Sequence, residues 1–96
     1  MRSVVVKGHT ILCVFDTKYK QLERFPAHDD VYQLFSHCSA MAASHGILIY
    51  PGDQVHFEWL GNTVSGIRMA FSSVRLSNLE HDLMAIRQEC LPQPVA

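Results

Sequence analysis

Histidine and cysteine are the residues of this chain that could bind metals or take part in catalysis. The 96 residues include six histidines and three cysteines, which lie at positions His9, His28, His37, His45, His56 and His81, and Cys13, Cys38 and Cys90. They form no H-x-x-H, H-E-x-x-H or C-x-x-C pattern, so they give no zinc or metalloprotease signature. There is also no glycine-rich phosphate loop. The sequence therefore predicts no catalytic residue, no metal site, no cofactor and no enzyme activity.

Cysteine usage and hydropathy bear on the compartment. An odd number of cysteines without a recognisable secretion signal predicts reduced thiols in the cytoplasm. Cys13 and Cys38 are expected to be buried, whereas Cys90 is either an accessible thiol or an intermolecular disulfide site. The longest apolar run, residues 11–15, is far shorter than the roughly 20 residues of a membrane helix. The sequence predicts a cytoplasmic chain with no membrane segment.

The charge balance excludes a strongly basic protein. The net charge is −1, and residues 1–49 carry a slight basic excess over their acidic residues. Such a balance argues against strong non-specific phosphate binding but permits a local nucleic-acid surface.

The first half of the chain shows strand-forming composition. Residues 3–16 predict one long strand bent at Gly8, because an isolated glycine in a strand often marks a bulge or bend. Residues 21–25 and 31–37 predict a second and a third strand. Residues 39–46 predict a short helical turn closed by Gly46. Residues 47–50 predict a short apolar strand.

The second half contains the clearest pattern. Val55, Phe57 and Trp59 alternate with polar residues, which predicts a strand with one buried face and places Trp59 in the core. Gly61 and Asn62 predict a hairpin turn. The returning strand is expected to place its apolar residues on one face, and these are Ile67, Met69 and Phe71.

The C-terminal segment has helical periodicity. Ser77 and Glu80 match a capping box, and the apolar residues that follow lie on one helix face: Leu79, Leu83, Ile86 and Cys90. A helix this short must pack on something. Leu79, Leu83 and Ile86 therefore either cover part of their own domain or form an interface, most simply in a twofold dimer.

Several segments together resemble a cold-shock domain. The most specific is Leu34–Met41, which reads LFSHCSAM, and the others are Gly8–Asp16, Gly52–Glu58 and Ala70–Val74. The resemblance implies an all-β, five-stranded OB-type barrel over residues 1–76, with an appended amphipathic helix and tail over residues 77–96.

The same resemblance implies a nucleic-acid-binding face. Phe15 and Phe35 would stack on bases, His37 would stack or form hydrogen bonds, and the surrounding cations would attract phosphates: Lys7, Lys18, Lys20 and Arg24. Other stacking positions of the family are changed, and Val14 stands where the family has a tryptophan. Each lost ring removes roughly 1–3 kcal/mol of binding energy. The expected function is weak binding of single-stranded RNA or DNA.

An alternative hypothesis comes from a different functional class. In it the chain is a protein-interaction or regulatory module that has lost nucleic-acid binding. Its partner would be a second copy or another protein, bound through the C-terminal helix.

Overall fold

The described part of the chain contains five strands and two α-helices. The computed structural model describes the backbone of residues 2–7, 10–22 and 24–90, and the side chains of residues 13–22 and 24–89. The elements, in chain order, are β1 (Arg2–Lys7), β2 (Thr10–Thr17), α1 (His28–Met41), β3 (His45–Gly52), β4 (His56–Asn62), β5 (Arg68–Arg75), a 3₁₀ turn (Leu76–Asn78) and α2 (Leu79–Cys90).

The strands form one open mixed sheet in the order β1-β2-β3-β5-β4. β2, β3 and β5 run parallel, while β1 and β4 are antiparallel edge strands. Parallel neighbours need a crossover connection, which α1 supplies between β2 and β3. The predicted all-β OB-type barrel is therefore wrong, because the chain crosses over through a helix and the sheet remains open at both edges.

Helix α1 occupies the segment that was predicted to contain the third strand. Val31, Leu34 and Cys38 follow one another at intervals of three and four residues, and this spacing lines one face of a helix. Asp29 and Asp30 lie in its first turn, where carboxylates interact favourably with the helix dipole. The strand prediction for residues 31–37 is wrong, because this apolar spacing outweighed the strand-forming composition.

Two shorter predictions next to α1 are also wrong. The helix continues to Met41 and ends at Ala42, which has a φ of 55°. Gly46 lies within β3 and does not close a helical turn. The predicted strand over residues 21–25 lies in the loop between β2 and α1, whose described residues form no strand.

The segment that was predicted to form one long strand forms two strands, β1 and β2, which pair antiparallel. β1 pairs with β2 in a register that places Val5 opposite Cys13 and Ser3 opposite Phe15. The predicted bend at Gly8 lies outside the described residues.

The predictions for the second half agree more closely with the structure. β3, β4 and β5 contain the predicted strand segments, and Ile67, Met69 and Phe71 are buried in one cluster. Val55, however, precedes β4 and is exposed. Gly61 belongs to β4, where the register with β5 shifts between Trp59 and Gly61. The turn itself is closed by hydrogen bonds between Thr63 and residues 66 and 67.

Each face of the sheet carries a hydrophobic cluster and a helix. α1 covers the first cluster, whose central buried side chains are Val14, Leu34, Cys38, Leu48, Tyr50 and Phe71. α2 covers the second cluster, whose buried side chains are Cys13, Phe15, Ile47, Ile49, Ala70, Val74 and Ile86. Cys13 and Cys38 are both fully buried, as predicted. Burial raises the pKa of the Cys38 thiol to about 11, so this thiol remains protonated near neutral pH.

Gly46 allows α1 to lie close to β3. A Cβ atom at this position would lie 2.6 Å from Sγ of Cys38 and 3.0 Å from Cγ of Leu34. Both neighbours belong to the buried face of α1, so neither can move away without disturbing the core.

Gly46→Ala should destabilise the protein by about 1–3 kcal/mol, the usual cost of overpacking a core. Urea unfolding followed by circular dichroism measures the change. Cys38→Ala removes the closest atom, so Gly46→Ala should cost less in the Cys38→Ala background than in the natural chain. Equal costs in the two backgrounds would show that the contact with Cys38 is not the cause.

An ion pair joins α2 to the end of β5. The Asp82 carboxylate accepts hydrogen bonds from the Arg75 backbone N–H at 2.8 Å and from Nη2 of the Arg75 side chain at 2.7 Å. Asp82 is buried, and the Arg75 side chain holds the pKa of this carboxyl far below its ordinary value. Leu83, the next residue, is half-buried, and Ile86, one turn further along α2, is only 2% exposed; both pack in the cluster under α2.

Acid should therefore weaken the attachment of α2. Because the pKa of Asp82 is lower in the folded chain than in the unfolded chain, its contribution to stability is complete above about pH 4 and is lost at lower pH. The urea midpoint should fall between pH 7 and pH 3, and it should fall less in Asp82→Asn. Glu89→Gln, which removes an exposed carboxylate from the same helix, is the control. A fall of equal size in Asp82→Asn and Glu89→Gln would contradict the assignment.

Candidate functional site

An open groove lies between α1 and the β4–β5 edge of the sheet. It encloses about 690 Å³, and its walls include Phe25, Asp29, Tyr32, Phe35, Leu60 and Met69. We call this set the aromatic groove. Its size falls within the range of ordinary ligand-binding clefts.

Exposed rings distinguish the aromatic groove from the rest of the α1 face. Phe25 is 66% exposed and Tyr32 is 71% exposed, and Leu60 adds further apolar surface from β4. Grouped exposed apolar side chains of this kind mark interaction sites on soluble proteins. The groove is therefore the surface best suited to bind a partner.

The loop before α1 and the first turns of α1 position these rings. Phe25 contacts Phe71 edge to face, with ring centroids 6.1 Å apart, which holds one side of the loop against the sheet. Pro26 is buried next to Phe25, two residues before α1 begins at His28. Tyr32 and Phe35 stand three residues apart on α1 and so point to the same side of the helix.

A partly buried cluster of charges fixes the same end of α1. Tyr50 donates its hydroxyl hydrogen to Oδ2 of Asp30 at 3.0 Å, and Nζ of Lys20 lies 2.7 Å from the same oxygen. Nζ of Lys18 lies 3.1 Å from Asp16 and 3.9 Å from Asp30. We call these five residues the charge cluster. It links the end of β2, the loop, α1 and β3.

The cluster stabilises the charged form of its buried carboxylate. Burial raises the pKa of Asp30, but hydrogen bonds from Lys20 and Tyr50 and the charges of both lysines outweigh burial and leave the pKa below its ordinary value. Burial and the Asp30 carboxylate raise the pKa of Tyr50, so its hydroxyl remains a donor. The cluster is thus a set of matched charges and hydrogen bonds.

The structure does not unite the residues of the predicted nucleic-acid face. Phe15 is 7% exposed and lies in the cluster under α2, on the opposite side of the sheet from Phe35. Phe35 lines the aromatic groove, and His37 is half-buried on α1.

The predicted cations are also dispersed. Lys18 and Lys20 form ion pairs within the charge cluster, and Arg24 is exposed in the loop. The side chain of Lys7 lies outside the described residues, as does that of Cys90.

Among the residues that the structure describes, no group of three or more histidine, cysteine or acidic side chains is arranged to hold a metal ion. In the same part of the chain, neither helix has the length and apolar character needed to cross a membrane.

Sequence reasoning did not predict the groove that Phe25, Tyr32 and Leu60 share. The signal for the helix that carries Tyr32 was present in Pro26, the two aspartates at 29 and 30 and the three-to-four-residue apolar spacing that follows. No sequence signal indicated that Phe25 and Leu60, distant in the chain, would share one groove.

Comparison with known families gives one match. A sequence model described as McrBC 5-methylcytosine restriction system component matches residues 4–51, which is half of the chain. The matched segment includes all five residues of the charge cluster as well as Phe25, Tyr32 and Phe35 of the aromatic groove. The identification as a cold-shock domain is therefore wrong. A search of curated proteins found no match to the sequence.

Tyr50→Phe tests the contribution of the charge cluster. Removing the hydroxyl deprives Asp30 of a buried donor, and hydrogen bonds to charged groups are worth about 1.5–3 kcal/mol. Urea unfolding should show a loss of that size. Tyr19→Phe makes the same chemical change at a loop residue that is 82% exposed, and it should leave the midpoint unchanged. A stable Tyr50→Phe protein would show that the lysines alone hold Asp30.

Proposed function

We propose that this chain, which belongs to the McrBC 5-methylcytosine restriction system component family, serves DNA restriction by binding another protein of the same system in its aromatic groove. The observation that carries the proposal is the exposure of Phe25 and Tyr32 at the walls of one open groove. Buried aromatic anchors are the commonest energetic centres of protein interfaces. In this proposal the chain acts by binding and not by catalysis.

The groove favours an apolar segment that carries a basic side chain. Its rings and aliphatic side chains suit apolar anchors from the partner. Asp29, at its rim, is exposed, whereas its neighbour Asp30 is held by two lysines. An exposed carboxylate beside an apolar groove complements a lysine or arginine on the partner.

The charges around the groove support a protein ligand over a nucleic-acid strand at this site. Two of the sequence-predicted phosphate ligands, Lys18 and Lys20, already form ion pairs with Asp16 and Asp30. Binding phosphates would require those pairs to break and would leave buried carboxylates without their cations.

The proposal retains a cytoplasmic location with reduced cysteines. Cys13 and Cys38 are both buried as thiols, which suits a compartment where thiols stay reduced.

Substitutions in the groove should weaken binding of the partner. The chain is titrated with each purified protein of its own restriction system, and the heat of binding is measured. Tyr32→Ser should weaken the affinity by at least about tenfold, since truncation of a central aromatic anchor costs upwards of 1.4 kcal/mol. Asp29→Asn should weaken it less and should reduce its dependence on salt.

Met84→Ser is the matched control. Met84 is also largely exposed, but it lies on α2, which covers the opposite face of the sheet. The Met84→Ser variant should bind the partner with the affinity of the natural chain. Equal losses for Tyr32→Ser and Met84→Ser, or no saturable binding to any protein of the system, would refute the proposal.

A further inference from the structure

A second surface lies on the α2 face, at the opposite end of the parallel strands from the charge cluster. Arg68 begins β5, His45 begins β3 and the two are paired in the register of the sheet. Trp59 of β4 stands opposite Ala70, the residue two positions after Arg68. The three side chains therefore share one face of three neighbouring strands.

The rings and the guanidinium of this surface are in contact. The Cζ atom of Arg68 lies 4.0 Å from the centre of the Trp59 ring. His45 and Phe57 approach the same indole edge to face, with centroid distances of 6.1 Å and 5.1 Å. Ser44 shares a hydrogen bond of 2.7 Å with Nδ1 of His45.

The side chain of Arg68 contacts an aromatic ring, whereas other cations of the chain contact carboxylates. Lys18, Lys20 and Arg75 each contact a buried carboxylate, which cancels their charge. Arg68 is exposed and lies over an aromatic ring, which orients the guanidinium and leaves its positive charge in place.

A guanidinium fixed in this way is prepared to bind phosphate. Its N–H groups lie in one plane and can form two parallel hydrogen bonds to a phosphate oxygen pair. The ring beneath it restricts the rotamers of the side chain, so less conformational entropy is lost on binding. His45 and Ser44 place further polar groups beside it.

We infer that Arg68, stacked on Trp59 beside His45 and Ser44, is a contact for a phosphate of double-stranded DNA. The choice of DNA rests on the role in restriction proposed above. The contact is independent of the aromatic groove, because it lies on the other face of the sheet. With a net charge of −1 the chain lacks a general attraction for DNA, so the contact would orient DNA within the assembled system and would be weak in isolation.

The affinity of the full chain for a fluorescently labelled DNA duplex, measured by anisotropy across a range of salt concentrations, tests the inference. Arg68→Ala should lower the affinity at low salt by about tenfold or more. It should also reduce the slope of log affinity against log salt by about 0.9, the value for one phosphate contact. Arg68→Lys, which keeps the charge but loses the planar fork, should give an intermediate affinity.

Arg87→Ala is the matched control, because it removes the same charge from an exposed arginine on α2. It should change the affinity less than twofold. Equal losses for Arg68→Ala and Arg87→Ala would overturn the inference, as would the absence of saturable binding at about 20 mM salt, where phosphate contacts are strongest. Loss of partner binding in the groove variants tests the other proposal and leaves this one unaffected.

Trp59 reports on the site directly, since it is the only tryptophan in the chain. Addition of the DNA duplex should change the fluorescence emission of Trp59 in a saturable manner. The midpoint of this change should equal the midpoint of the anisotropy titration. Inorganic phosphate at the same ionic strength should leave the Trp59 emission unchanged. If inorganic phosphate produces the same change and displaces the duplex, the site binds a free phosphate group and the assignment to DNA is wrong.

Discussion

The buried carboxylate of Asp30 is the point on which the arrangement of the α1 face depends. It stands in the first turn of α1, and it binds Tyr50 from β3 and Lys20 from the preceding loop. One residue thus ties a helix, a strand and a loop together. Because a buried charge is costly unless it is fully paired, these partners are set in one geometry, and the rings of the aromatic groove take their positions from it.

The two proposed binding surfaces lie on opposite faces of the sheet. On the α1 face, Lys18 and Lys20 are paired with carboxylates and the exposed surface is aromatic, which suits a protein ligand. On the α2 face, Arg68 keeps its charge over an indole ring, which suits an anion. In the proposed arrangement, one sheet separates the surface that binds a protein partner from the surface that contacts DNA.

Sequence reasoning succeeded where periodicity and burial agree. The alternation that leads to Trp59, the returning face of Met69 and Phe71, and the C-terminal helix were all evident, because each is encoded within about ten residues. It failed at α1, where strand-forming residues and the similarity of residues 34–41 to a cold-shock motif obscured a helical spacing. The groove and the Arg68 site join residues from distant strands, and their assembly follows from the strand order, which no local pattern contains.

The shift of register in β4 has a consequence for the behaviour of the protein in concentrated solution. An edge strand offers unpaired backbone groups that can template the addition of a strand from another chain. Between Trp59 and Gly61 the pairing slips by one residue, and Gly61 adopts a φ of 132° that few other residues tolerate. Such an irregularity twists the edge and interrupts its hydrogen-bonding ladder. It disfavours aggregation by continued strand pairing along β4.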